Sequence, residues 1–123
     1  MGLDMYLSKV KREEVGYWRK ANQVRAWLVN RARTYGMDIE DTDCVVIELF
    51  RNDIVDLIAD CKAVLDNHEL ASKLMPTSRG FFFGSMEYDD CYFSDLQQTV
   101  DMLEPLLEEV DWDSETIEYY ESW

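Results

Sequence analysis

The sequence has few of the residues that usually announce an activity. There is one histidine, His68, and the three cysteines, Cys44, Cys61 and Cys91, contain no close pair. Zinc centres of the Cys₃His type are built from closely spaced pairs, so these four residues nominate no metal site. An odd number of thiols, behind an N-terminus without an apolar signal segment, predicts reduced cysteines in a cytoplasmic protein. No apolar run approaches the roughly 18 to 20 residues of a membrane span. Five glycines and two prolines are too few for a low-complexity chain. The glycine loops of nucleotide sites, the serine elbow of hydrolases and the paired histidines of zinc proteases are all missing. No cofactor is nominated, and no catalytic set.

What is present is apolar and acidic. The 123 residues are 47% hydrophobic and 13% aromatic, enough for one core in a single domain over residues 1–123. The 26 Asp and Glu outnumber the 12 Lys and Arg, for a net charge of −14. That balance excludes nucleic-acid binding through a broad basic surface. The charge is also polarised: residues 1–34 hold basic side chains in excess, whereas no Lys or Arg follows Arg79.

Hydrophobic periodicity predicts an α+β fold, with about three helices packed on a small antiparallel sheet of three strands. Leu3, Met5 and Leu7 alternate with polar positions and predict an opening strand. Tyr17, Ala21, Val24, Leu28, Ala32 and Tyr35 share one stripe and predict a helix over residues 14–35, stopped at Gly36. The β-branched run at residues 44–50 predicts a central strand. Ile54, Ile58, Cys61 and Leu65 predict a second helix, capped by Asn52 or Asp53. Leu96, Val100, Leu103 and Leu107 predict a third, capped by Ser94 or Asp95 and interrupted at Pro105. Residues 116–121 read as a closing strand.

Three groups of residues invite a functional reading. On the first predicted helix, Trp18, Asn22 and Arg25 lie beside Arg19 and Arg33, as a recognition face would place them. The structural alternative is that Trp18 packs beneath the sheet or last helix while the arginines pair with the acidic half. The stretch PTSRGFFFGSMEYDDC, residues 76–91, offers Glu87, Asp89 and Asp90 for acid–base chemistry. Its structural alternative is a loop anchored by Phe81 and its neighbours, with Asp89 or Asp90 capping the last helix. The acidic last third interleaves carboxylates with Trp112, Tyr119 and Tyr120, a pattern suited to steering and holding a basic protein. Its alternative is a plain solvated exterior.

Four segments, MGLDMYL, EVGYWRKAN, PTSRGFFFGSMEYDD and the closing YYESW, together resemble a family of small uncharacterised proteins of phages, prophages and bacterial genomes. Relatives there tend to carry an Ile-His pair before the tryptophan, where this chain has Val24-Arg25-Ala26-Trp27, and often a longer insertion after the first strand. The resemblance implies a phage-like setting, which favours a small acidic inhibitor of a host defence nuclease; the acidic balance and the lack of an apolar span separately argue against direct contact with nucleic acid or membrane. It marks Tyr17, Trp18, Arg19, Lys20, Asn22, Gly80, Phe81, Gly84, Glu87, Tyr88 and Asp89 as positions of a shared site.

Two expectations of different class follow. The first is a non-enzymatic acidic interaction protein that occupies a basic, nucleic-acid-processing partner such as a CRISPR effector, in the manner of a nucleic-acid mimic. Glu108, Glu109, Asp111, Asp113, Glu115 and Glu118 would supply the charge, with Trp112 and Tyr120 as anchors. The second is a nucleotide or other anion site between Trp18, Arg19, Lys20 and Asn22 and the Gly80–Asp89 loop. A homo-oligomer burying the aromatic C-terminal segment is a further possibility.

Overall fold

The computed structural model describes residues 2–9, 11–40, 45–78 and 87–121. Three longer helices carry the fold: α1 (Asn22–Thr34), α2 (Arg51–Asp66) and α4 (Asp90–Leu103). A 3₁₀ turn (His68–Leu70) and the short α3 (Ala71–Leu74) follow α2, and α5 (Leu106–Glu109) follows α4. The strands β1 (Val46–Leu49) and β2 (Ile117–Tyr120) pair antiparallel, with Val46 opposite Tyr120 and Leu49 opposite Ile117. The class is α+β, as the periodicity implies.

Local chemistry explains most boundaries. At the start of α2 the Asp53 carboxylate accepts the Phe50 N–H at 2.8 Å, satisfying a donor that has no helical partner. Ile54, Leu57, Ile58, Cys61 and Val64 then repeat at helical spacing and all are buried, on a helix that packs against α4. Asp89 rather than Ser94 or Asp95 caps α4, accepting the Tyr92 N–H at 3.1 Å. Leu96, Thr99, Val100 and Leu103 form the buried stripe of that helix. Pro105 separates α4 from α5, because it supplies no amide donor inside a continuous helix. Gly36, at φ +93°, ends α1. Its N–H donates to Arg33 O, and the Met37 N–H donates to Ala32 O, the paired bonds of a Schellman stop.

Two expectations are corrected. The predicted helix over residues 14–35 forms only from Asn22, because Lys20 takes a left-handed φ of +57° that no right-handed helix accommodates. Ala21, Val24, Leu28 and Ala32 are buried as expected, whereas Tyr17 and Tyr35 remain exposed. Among the described residues the short helices α3 and α5 raise the helix count above the expected three, and the sheet has two strands rather than three. Residues 3–7 carry strand-like alternation but pair with nothing described, and Leu3, Met5, Tyr6 and Leu7 are all at least 79% exposed. Alternation says which side chains would share a face, without supplying an edge to pair with.

The inner face of the sheet, with Ile47 and Leu49 buried and Ile117 and Tyr119 half-buried, closes the core. Trp18 sits ahead of α1 and reaches across to α4, where its Nε1–H donates to Thr99 Oγ1 at 2.8 Å. Its ring meets Tyr119 of β2 edge-on, with centroids 6.4 Å apart.

Candidate partner-binding surface

The acidic corner is built by the interruption at Pro105. Beyond it, Leu106 is buried and Leu107, Val110, Trp112 and Ile117 pack against the core. With those side chains turned inward, Glu108, Glu109, Asp111, Asp113 and Glu115 are left exposed. A tight turn then joins α5 to β2. The Asp111 carboxylate accepts the Asp113 N–H at 3.1 Å and the Ser114 hydroxyl at 2.7 Å, while Glu115 accepts the Asp111 N–H at 2.8 Å. These bonds, the Ser114 hydroxyl foremost, hold Asp111 below the usual carboxylate range. Asp111 and Glu115 therefore shape the corner, while Glu108, Glu109 and Asp113 are simply presented by it.

The nominated anchors separate. Tyr120 is exposed on the outer face of β2, but Trp112 is half-buried against the core, and its buried Nε1–H has no hydrogen-bond partner among the described residues. Glu118 is half-buried and paired with Arg12.

Part of the chain's basic charge is spent elsewhere. Arg25 of α1 meets Glu121, Arg31 bridges Asp53 and Asp56 of α2, and Lys62 reaches Glu104 at 3.0 Å. Of the two readings of the first helix, Arg25 follows the structural one by pairing with Glu121 of the acidic C-terminal half, whereas Arg31 pairs with α2 and Arg33 donates to the backbone carbonyl of Ile39. No ion pair among the described residues reaches Glu108, Glu109, Asp111, Asp113 or Glu115.

The described members of the alternative ligand set take different places, with Asn22 and Tyr88 meeting at residues 77–78. Tyr17, Arg19 and Lys20 are exposed, Trp18 is turned inward onto Thr99, and Asn22 is buried with its Oδ1 accepting the Ser78 N–H at 2.8 Å. Trp18 and Arg19 therefore form no face with Arg25, because the helix begins after them. Tyr88 Oη accepts the Thr77 N–H at 3.3 Å, and the Tyr92 hydroxyl donates to Met75 O at 2.6 Å, so the Tyr88–Tyr92 end of α4 clamps residues 75–77. Asp89 caps α4 and Glu87 is exposed. Gly80, Phe81 and Gly84 lie outside the described residues, as do Cys44 and Trp123.

Two shallow clefts flank α1 instead. One of about 180 Å³ is lined by Arg25, Asn30, Arg33 and residues 76–78. The other, of about 250 Å³, is lined by Trp27, Arg31, Asp60 and Leu74 among others. Their polar groups are engaged by the protein itself. Arg33 Nη2–H donates to Ile39 O at 2.7 Å, and Trp27 Nε1–H donates to Asp60 at 2.8 Å.

Sequence reasoning missed the buried polar cluster at the second cleft. Asp53 is 1% exposed and accepts from Phe50 N–H, from Arg31 Nε–H at 2.8 Å and from the Tyr35 hydroxyl. Burial pushes its carboxyl upward, but the three donors together prevail and hold it below the usual range. Arg31 is raised in turn, chiefly by its bond to Asp56, and lies 5.4 Å from the Trp27 ring centre. The spacing of Arg31 and Tyr35 places them on one helix face, but nothing local points to Asp53 across the helix pair. The cluster joins α1 to α2.

His68 is exposed and stacks on Phe93, rings 3.7 Å apart. Cys61 is buried, its thiol pushed up to about 12 by burial, and Cys91 is exposed. No group of three or more metal-ligating side chains gathers among the described residues, and no described helix is long and apolar enough to cross a membrane. Compared with family models, curated proteins and solved structures, the chain matches none.

Proposed function

We propose that this protein is a non-enzymatic interaction protein whose acidic corner, from α5 to the start of β2, docks on a basic surface of a nucleic-acid-processing protein. The observation that carries this reading is the group of five exposed carboxylates, Glu108, Glu109, Asp111, Asp113 and Glu115, left without a described ion pair while Arg25 and Arg31 of α1 are committed to other carboxylates. Like charges held together in this way cost stability through repulsion, and a basic partner relieves that repulsion on binding. The field of the corner steers such a partner at long range, and the exposed Tyr120 supplies apolar contact once it arrives. A nucleic-acid channel is the natural basic surface, since it is already shaped for closely spaced negative charge. The resemblance to phage and prophage proteins points to a host defence nuclease, CRISPR effectors included, as the class of target.

The test is affinity capture from cells with the wild type and with Glu108→Lys/Glu109→Lys/Asp113→Lys, which spares the two carboxylates that build the turn. The wild type is expected to retain a basic nucleic-acid-binding protein that the triple variant loses. The same protein is expected to elute in about 1 M salt, where the screening length is about 3 Å. Capture that survives both the salt and the reversal rules the reading out.

A further inference from the structure

The register of the sheet sets two like charges against each other on its outer face. Glu48 of β1 lies directly opposite Glu118 of β2, and Val46 lies opposite Tyr120. Ile47, Leu49, Ile117 and Tyr119 take the inner face, so these four side chains share the outer one. Directly opposed side chains have Cβ atoms about 5 Å apart, and like charges at that distance weaken a strand pair. Val46, Glu48 and Tyr120 are exposed, as is Phe50, two positions beyond Glu48 on the same alternation. The face thus holds two carboxylates side by side, with Val46 and Tyr120 at one end and the Phe50 ring at the other.

The chain itself shows one side chain that this face accepts. Arg12, 106 positions away in sequence, donates from Nη1 to Glu118 Oε1. Its guanidinium is raised above its ordinary value, first by that hydrogen bond and the charge of Glu118, with the Tyr120 phenol adding to them. One cation therefore serves two carboxylates, because no ion pair among the described residues reaches Glu48. The charge left over at Glu48 is flanked by Val46 and Phe50. That setting favours arginine over lysine as the missing cation. A planar guanidinium can fork onto a carboxylate and lie flat on an aromatic ring, whereas a compact, strongly hydrated ammonium gains less from either contact.

We infer that the outer face of the sheet seats an arginine side chain of a basic protein partner, its guanidinium paired with Glu48 and laid against the Phe50 ring, while Arg12 keeps Glu118. The inference rests on the reading of a basic partner given above, and adds which side chain that partner presents and where. The seat adjoins the acidic corner, since β2 begins two positions after Glu115. One partner surface covers both: the corner supplies field, which any cation feels, and the seat supplies the discrimination between cations.

Two capped synthetic peptides test this, one alternating arginine with glycine through four arginines and the other with lysine in their place. Each is titrated into the full chain, labelled with nitrogen-15, and followed by the amide signals. The arginine peptide is expected to shift the signals of residues 46–50 as well as those of the corner, and to bind about threefold tighter than the lysine peptide. Glu48→Gln is expected to erase both the preference and the shifts at residues 46–50, leaving the corner shifts in place. This variant relieves the repulsion from Glu118, so its melting temperature is expected to be no lower than that of the wild type. Phe50→Leu is expected to lose the arginine preference while binding the lysine peptide as the wild type does. Equal affinity of the wild type for the two peptides, or an arginine preference that survives Glu48→Gln, overturns the inference. The corner is judged separately. If Glu108→Lys/Glu109→Lys/Asp113→Lys bound the arginine peptide as tightly as the wild type, with the shifts at residues 46–50 intact, the corner reading would fall and the seat would stand.

Discussion

The Arg25 guanidinium lies against both carboxylate oxygens of Glu121, its Nε 3.0 and 2.9 Å away, with only 8% and 11% of the two side chains exposed. The pair joins the basic first third of the chain to its acidic last third across 96 positions. Glu121 also accepts the Val45 N–H at 3.2 Å and the Tyr119 hydroxyl, so one carboxylate ties α1, β1 and β2 together. Removing one member of a buried pair leaves the other charge uncompensated, at a cost of about 3 to 5 kcal/mol. Arg25→Met is therefore expected to lower the urea midpoint strongly. Glu121→Gln, which keeps one oxygen to accept the Val45 N–H, is expected to cost less than Glu121→Ala. Equal losses for Glu121→Gln and Glu121→Ala in urea titrations would contradict this division of roles.

The two partly buried tryptophans should respond differently to loss of their ring nitrogen. Trp18 Nε1–H donates to Thr99 at 2.8 Å, whereas the buried Trp112 Nε1–H has no partner among the described residues. Both changes to phenylalanine lose some packing. Trp18→Phe also loses a hydrogen bond worth about 1 kcal/mol, while Trp112→Phe removes a donor whose burial is uncompensated. Thermal unfolding is expected to rank Trp112→Phe as the more stable variant by roughly 1 to 2 kcal/mol.

A Cβ placed at Gly36 enters open space, with no heavy atom beyond its chain neighbours within 4 Å. Only its φ of +93° opposes a side chain. Gly36→Ala is thus expected to destabilise by about 1 to 2 kcal/mol, the cost of holding an L-residue in left-handed backbone. A calorimetric scan of Gly36→Ala showing no loss would mean that α1 ends in some other way.

Asp53 and Asp95 give opposite slopes to the acid limb of the stability curve. Asp53 titrates below its ordinary value of 3.8: burial raises it, and Tyr35, Phe50 and Arg31 together outweigh that. Its contribution is fully present above that value and is lost as pH falls through the lower folded-state value. Asp95 is raised, first by burial, against a bond from Gln23 and with help from Asp89. The folded state therefore holds its proton longer, and stability falls as pH rises from about 3.8 towards the raised value. Urea midpoints measured across the acid range should fall less steeply on acidification in Asp53→Asn, although that variant is weaker at neutral pH. In Asp95→Asn the fall should be steeper than in wild type.

Helix and strand placement in the middle of the chain is a matter of local chemistry, and there the sequence was legible. The Ile54, Ile58 and Cys61 stripe, the stop at Gly36, the break at Pro105 and the β-branched residues of β1 each act through neighbours a few positions away. The ends of the chain were less legible, because their conformation depends on distant partners. Trp18 was drawn out of the predicted helix to Thr99, 81 positions on, and Lys20 turned left-handed beside it. Residues 3–7 kept their alternation but met no edge within the described fold.

The candidate surface divides along the same line. Composition alone showed that the last third of the chain carries carboxylates without a single Lys or Arg. Which of them stay on the surface without an ion pair was decided by packing. Leu106, Leu107, Val110 and Trp112 turn inward and force Glu108, Glu109 and Asp113 outward, while Arg12 and Arg25 engage Glu118 and Glu121. A charge is carried by a residue and can be counted along a chain, but its neutralisation depends on what lies within a few ångströms, and folding sets that distance.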